Sequence, residues 1–197
     1  MKIAMKGSAQ LGPLPVVLVT CRGKDGRANV FTAAWTGTVC TAPPMAYVSV
    51  RPSRYSHALI SETGELALHP VPASLVREAD WCGTYTGVKV DKFAACGFTE
   101  EKAEKIGAPL IAECPLALEC RVKEVKRLGS HDLFLCEIVA IDAEEGLFDE
   151  KNALRMERAG LAAFLHGDYY ALGKKLAHIG VSAGKKKRGG ASRGKKR

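Results

Sequence analysis

The sequence predicts a mostly antiparallel β-barrel with short helices around it. Short apolar runs rich in β-branched residues recur along the chain, separated by segments that contain glycine and proline. The helical segments between them are short and do not alternate regularly with strands, which disfavours a parallel sheet. The Gly-x-Gly-x-x-Gly motif of a Rossmann dinucleotide site does not occur. A mainly β domain is therefore expected.

The first predicted strands form a hairpin. Residues 16–21 are a β-rich apolar run, and Asp25-Gly26 is a typical hairpin turn. We expect the returning strand over residues 29–35. A pair of prolines then interrupts the chain before another apolar strand over residues 45–50.

Short helices are predicted after these strands. The first spans residues 53–62, with Ser53 or Ser56 as its N-cap. Further short helices are expected over residues 72–82, 92–96 and 100–106.

The remaining predicted strands cover the middle and later parts of the chain. One short strand is expected over residues 65–70. Two long strand candidates, residues 113–126 and 131–142, are joined by a turn that contains Gly129. This succession completes the mainly β pattern.

Length and composition indicate one globular domain, predicted over residues 1–184, followed by a basic disordered tail over residues 185–197. The chain has 197 residues, of which 47% are hydrophobic and 25% are charged, as in ordinary soluble domains. Neither a membrane-spanning apolar run nor a signal peptide is recognisable, which predicts a cytoplasmic protein without a membrane partner.

The net charge of +8 resides in the tail. Residues 185–197 hold eight of the 29 Lys and Arg, which leaves 21 basic against 21 acidic residues in the rest of the chain. A short basic run interrupted by glycine is most simply a solubilising tail, and weak nucleic-acid attraction is the alternative. The neutral body makes a nucleic-acid-binding protein an unfavoured hypothesis.

The seven cysteines match no metal-binding spacing, since there is no Cys-x-x-Cys. Several lie in apolar strand-like runs. We therefore expect them to be small buried hydrophobic residues in a reducing compartment.

The segment over residues 29–59 carries the strongest chemical signal. Trp35 lies among small and hydroxyl residues and offers a rigid apolar face to a flat ring. Arginine forks, serine hydroxyls and a helix start follow, and these groups suit a phosphate. A flavin mononucleotide (FMN) combines such a ring with a phosphate. A half-buried strand tryptophan and solvated arginines remain the alternatives. The phosphate candidates are Arg51, Ser53, Arg54 and Ser56.

Three later residues are weaker candidates. Lys92 adds positive charge after a glycine-flanked loop, although a surface lysine is the commoner case. His131 opens a strand and can bond the edge of a cofactor, or it can be satisfied by backbone. Phe164 covers an aromatic ligand or fills the core.

In order and spacing, several segments resemble the flavin reductase-like family of FMN-binding split-barrel proteins, most closely its flavoredoxin branch. They span about residues 12 to 180. The segments are Pro15 to Cys21, Asn29 to Trp35, Val48 to Ile60, Thr63 to Leu68, Cys82 to Gly87, Asp91 to Phe93, Glu113 to Cys120, Ser130 to Leu135 and Tyr169 to Gly173.

The resemblance implies an FMN-binding split β-barrel that forms a homodimer and holds FMN non-covalently. It places Asn29, Thr32 and Trp35 along the flavin. The phosphate would lie near Lys92 and the segment Arg51 to Ser56, here called the arginine–serine loop, and His131 and Phe164 would complete the pocket.

The resulting hypothesis is an FMN-dependent oxidoreductase of the flavin reductase type, with NADH or NADPH as electron donor and an unidentified electron acceptor. The alternative is an FMN-binding electron carrier that a partner protein reduces. The residues do not distinguish NADH from NADPH, and no catalytic or metal-binding residue is assigned.

Overall fold

A computed structural model describes residues 1–183, and the predicted basic tail over residues 185–197 lies outside them. The elements confirm a mainly β fold with few helices. The strands are β1 (Leu14–Pro15), β2 (Val17–Arg22), β3 (Ala28–Ala33), β4 (Thr36–Thr41), β5 (Pro44–Val50), β6 (Glu65–Pro70), β7 (Glu100–Glu101), β8 (Leu110–Ile111), β9 (Leu116–Arg127), β10 (Asp132–Ala143), β11 (Ala162–Leu165) and β12 (Asp168–Ala171). The α-helices are α1 (Tyr55–Thr63), α2 (Val76–Thr84) and α3 (Lys92–Cys96), and short 3-10 turns cover Ala73–Leu75, Glu145–Leu147, Met156–Ala159 and Val181–Ala183.

A seven-stranded antiparallel sheet forms the body, in the order β3-β2-β6-β9-β10-β5-β4. Its first hairpin turns at Gly26, whose φ of 82° suits a residue without a side chain. The long strands β9 and β10 carry register shifts after Leu135 and Ile138, and such bulges bend a sheet. Two small sheets, β1-β11-β12 and β7-β8, flank the body.

The sheet curls so that its ends approach each other. The chain passes directly from β3 at one edge to β4 at the other through Ala34 and Trp35. The backbone N–H of Ser49 on β5 donates to the carbonyl of Trp35 at 2.9 Å. This crossing draws the two edges together and places Trp35 at the point where they meet.

The core lies inside the curled sheet and beneath the helices. Leu18, Ile60, Leu66 and Phe134 are fully buried, and Ile60 fixes α1 against the sheet. His69 is also fully buried and bonds the backbone of β2 and β8. Burial lowers the pKa of His69 to about 4, so this core histidine is neutral at neutral pH.

The structure corrects the predicted start of α1. Neither Ser53 nor Ser56 caps the helix, because Arg54 is the N-cap residue and makes no side-chain cap hydrogen bond. Ser56 lies within the first turn, where its hydroxyl bonds Asn29. The Ser56 hydroxyl, which the local sequence predicts as a helix cap, therefore makes a tertiary hydrogen bond with Asn29 instead.

The predicted helix over residues 100–106 is wrong. The segment starts with β7 and continues as a loop. The buried Glu119 carboxylate accepts the backbone N–H groups of Glu104 and Lys105, both at 2.7 Å. These contacts with β9 hold the loop in place of helical hydrogen bonds. No helix within residues 1–183 has the length and apolar character needed to cross a membrane.

Candidate functional site

Two joined cavities lie where β3, the loop after β5 and the α2–α3 connection meet. The larger has a volume of about 420 Å³ and the smaller about 200 Å³. Four residues line both cavities, so a long ligand can occupy both at once. The shared residues are Phe31, Thr32, Arg51 and Arg54.

The loop between β5 and α1 supplies one polar wall of the larger cavity. Arg51, Ser53 and Arg54 are exposed there. Ser56 is buried, and Asn29 Nδ2 donates to its hydroxyl oxygen at 2.7 Å. This bond joins β3 to the first turn of α1 and fixes the start of the helix beside the cavity.

Lys92 lies in the opposite wall, and the structure buries it, contrary to the surface position that is usual for lysine. Lys92 is only 4% exposed. Asp91 caps α3 by accepting the N–H of Ala94 at 3.1 Å, and the Lys92 ammonium donates to the carbonyl of Cys82 at 2.6 Å. Burial lowers the pKa of Lys92, and the positive charge of Arg54 lowers it further.

Three cations thus face one cavity without a compensating carboxylate in the part of the chain that the structure describes. Arg51, Arg54 and Lys92 form no ion pair within residues 1–183. The cavity wall over the same residues contains no Asp or Glu. Neighbouring positive charges disfavour one another, and a bound anion relieves that repulsion. A phosphate also accepts the hydrogen bonds that these groups and the serines offer.

A glycine-bearing segment closes the larger cavity opposite the arginine–serine loop. A Cβ atom on Gly87 would stand 2.8 Å from Cγ of Asn29 and 3.1 Å from the Tyr55 ring. A Cβ on Gly83 would stand 3.3 Å from Cβ of Thr32. The absence of a side chain at these two positions therefore allows the segment to approach β3 and α1 closely.

The smaller cavity has an aromatic wall. The rings of Trp35 and His131 lie 4.6 Å apart with their planes inclined by 44°, and Trp35 is 41% exposed. Arg51 Nε donates to His131 Nε2 at 3.4 Å, and His131 Nδ1 is 2.9 Å from the hydroxyl of Ser130. Because Nε2 accepts, Nδ1 carries the proton.

The surroundings of His131 favour its neutral form at neutral pH. Burial lowers the pKa of His131, and the charge of Arg51 lowers it further. The smaller cavity therefore combines a flat indole, a neutral imidazole and the guanidinium groups of Arg51 and Arg54.

A third cavity of about 350 Å³ adjoins the other two at Thr32. Phe164 and Tyr169 line it, and the Tyr169 hydroxyl donates to Asp80 at 3.1 Å. The Thr32 hydroxyl donates its hydrogen to the carbonyl of Ala79 in α2, so towards a ligand it can act only as an acceptor.

The structure brings nine of the ten candidate residues to the two joined cavities, and Phe164 to the adjoining one. Sequence reasoning missed part of the wall, although Cys82 to Gly87 was recognised as a segment shared with the family. Asn29, Thr32, Arg51, Ser53, Arg54, Ser56 and Lys92 line the larger cavity, and Trp35 and His131 line the smaller. The additional wall residues are Phe31, Tyr55, Cys82, Gly83, Tyr85, Thr86 and Gly87.

Comparison with known proteins gives consistent matches. Residues 11–173 match the model of the flavin reductase like domain. The flavoredoxin of Desulfovibrio vulgaris (Miyazaki F) is 30% identical, with a TM-score of 0.87 over 93% of this chain and 100% of that chain. The FMN reductase (NADH) RutF 1 of Methylorubrum extorquens is 28% identical over 148 residues, which cover 73% of this chain and 71% of the relative.

The fold comparison agrees with the predicted split barrel. A Shewanella frigidimarina structure described as a flavin reductase with a split barrel domain is 21% identical, with a TM-score of 0.78 over 85% of this chain and 86% of that chain. At that identity the likeness concerns the fold alone. Because the flavin reductase like domain matches residues 11–173, most of the chain's length, the chain belongs to the flavin reductase-like family.

Proposed function

We propose that this chain is an FMN-dependent oxidoreductase that holds FMN non-covalently in the joined cavities. The observation that carries the proposal is the cluster of Arg51, Arg54 and Lys92, which forms no ion pair within residues 1–183 and lies beside an aromatic-walled cavity. The names of two similar proteins, a flavoredoxin and an FMN reductase (NADH), support the same cofactor.

The proposed phosphate site is the larger cavity. Lys92 and Arg54 supply charge, and Ser53 and Ser56 supply hydroxyl groups. The nine-residue helix α1 begins at this wall, and a helix N-terminus favours a negative charge. These donors suit the phosphate of FMN. Riboflavin lacks a phosphate, so it would leave them without an acceptor.

The proposed ring site is the smaller cavity. Trp35 offers a flat apolar face, and neutral His131 presents a polar edge without adding charge. When bound, FMN supplies the hydride and electron transfer chemistry. The chain's own contribution is to bind, orient and partly enclose the reacting ring, and Phe164 lines the third cavity, which adjoins this site at Thr32.

The electron donor is proposed to be NADH or NADPH. The test is anaerobic mixing of FMN-loaded protein with each nucleotide while the absorbance of oxidised flavin is followed. Rapid bleaching by either nucleotide, faster than that of free FMN under the same conditions, supports a reductase. Bleaching no faster than free FMN overturns the reductase assignment and favours the alternative, an FMN-binding carrier that a partner protein reduces. Protein that binds no FMN contradicts both.

A homodimer is proposed as the assembly. An apolar groove of about 290 Å³ lies beside Trp35, and Leu11, Leu14, Tyr47 and Leu133 line it. A second copy of the chain covering this groove would enclose the exposed side of the indole. Sedimentation velocity at increasing protein concentration tests this, and a monomer throughout contradicts it. A cytoplasmic location stays a prediction from the sequence.

A further inference from the structure

Two cysteines beside the larger cavity are close to each other, and one of them, Cys82, lines it. Cys82 lies near the end of α2, and Cys96 is the last residue of α3. Their sulfur atoms are 3.6 Å apart and share a hydrogen bond. Among residues 1–183, which contain all seven cysteines, no other pair of sulfurs is in hydrogen-bond contact.

The separation is close to what a disulfide needs. A sulfur–sulfur bond is about 2.05 Å long, so the two atoms would approach by about 1.5 Å. The bond would join two helices linked through Tyr85 to Asp91, a segment that contributes Tyr85, Thr86 and Gly87 to the cavity.

The two thiols differ in accessibility. Cys96 is partly exposed, whereas Cys82 is 1% exposed. An oxidant in solution therefore meets Cys96 first, and the buried Cys82 is positioned to react second. The Lys92 ammonium favours both thiolates electrostatically, although burial is the larger influence and raises the pKa of each thiol, with Glu78 adding to the increase. Exchange is accordingly expected to be slow at neutral pH.

We propose that Cys82 and Cys96 are a thiol modification site, which a small-molecule disulfide converts into an intramolecular disulfide tying α2 to α3 on the cavity wall. The Cys96 thiolate attacks one sulfur of the small disulfide, whose S–S bond breaks and releases one thiolate. The Cys82 thiolate then attacks Cys96 Sγ and releases the second thiolate. The protein dithiol is oxidised, the small disulfide is reduced to two thiols, and the two cysteine protons pass to solvent or to the released thiolates.

The chain offers a matched control for this proposal. Cys40 is also partly exposed, but its sulfur has no hydrogen-bonded cysteine within residues 1–183. The same oxidant should therefore leave a stable mixed disulfide on Cys40, because no second thiol is positioned to displace it.

The test is incubation of the full-length protein with oxidised glutathione, followed by thiol blocking, tryptic digestion without reductant and mass spectrometry. Cleavage after Lys89 and Lys92 separates the two cysteines into peptides 78–89 and 93–102, each with one cysteine. The proposal predicts that these peptides are recovered as one linked species without glutathione. Cys82→Ser should retain glutathione on Cys96, and Cys40→Ser should retain the 82–96 link.

Two results would overturn the assignment. The first is that Cys96 of the wild-type protein keeps its glutathione, which would show that Cys82 does not displace it. The other is an unmodified Cys96 under conditions that modify Cys40 and leave the native circular dichroism spectrum unchanged. Because neither outcome depends on flavin binding, failure here is distinct from failure of the proposed function.

Discussion

Replacing Lys92 with methionine tests the proposed phosphate site most selectively. The substitution removes the ammonium and keeps a long side chain in a nearly filled space, since Lys92 is only 4% exposed. We expect FMN to bind more weakly to Lys92→Met, whereas riboflavin should bind almost as it does to the wild type because it has no phosphate.

The expected size follows from the surroundings of the ammonium. Two unit charges about 4 Å apart interact by roughly 4 kcal/mol at an effective dielectric constant near 20. Desolvation offsets part of this, as the lowered pKa of Lys92 indicates. Hydrogen bonds to charged groups contribute about 1.5–3 kcal/mol. A loss of about 2 kcal/mol corresponds to a roughly 30-fold increase in the Kd of FMN.

The assay is a titration of flavin-free protein with FMN and with riboflavin, read by quenching of flavin fluorescence. Lys89→Met is the matched control, because Lys89 is exposed and does not line the larger cavity. Equal losses of FMN and riboflavin affinity would show a general structural defect. An unchanged FMN affinity would refute the role assigned to Lys92.

Three further changes have expected outcomes. Trp35→Ala should weaken FMN binding by about 1–3 kcal/mol, by analogy with aromatic–base stacking. An unchanged FMN affinity in the same titration would show that the indole does not contact the flavin. Gly87→Ala should also weaken FMN binding, because the added methyl group would displace Asn29. Gly146→Ala should leave FMN binding unchanged, because the space around Gly146 is open. Equal effects of the two substitutions would contradict this prediction. Burial, followed by nearby carboxylates, raises the pKa of Asp142 from 3.8 to about 6. The folded chain therefore binds a proton there that the unfolded chain has lost, so this group's contribution to stability falls as pH rises through that range. Asp142→Asn should raise the Tm at neutral pH but not below pH 3.8, and a pH-independent Tm difference would contradict the assignment.

The strands were predictable because their signals are local. The apolar run before Arg22, the Asp25-Gly26 turn and the two long strands around Gly129 combine side-chain pattern with turn chemistry. The boundaries were less predictable, since β3 ends at Ala33 and leaves Trp35 in the crossing between sheet edges.

Features set by distant contacts were not predictable from local sequence. Glu119 holds the loop over residues 102–106, whose sequence resembles a helix, and Asn29 donates a hydrogen bond to the hydroxyl of Ser56. The candidate site was predicted residue by residue mainly through the family resemblance. Its opposite wall, with Gly87 against Asn29 and Cys82 beside Cys96, depends on how α2 and α3 pack.

A crystal structure of the protein with FMN tests the central claim most directly. We predict the phosphate among Ser53, Ser56 and Lys92, with the flavin ring in the smaller cavity and against Trp35 and His131. A phosphate placed away from Lys92, or a ring that does not reach Trp35, would contradict the proposed site.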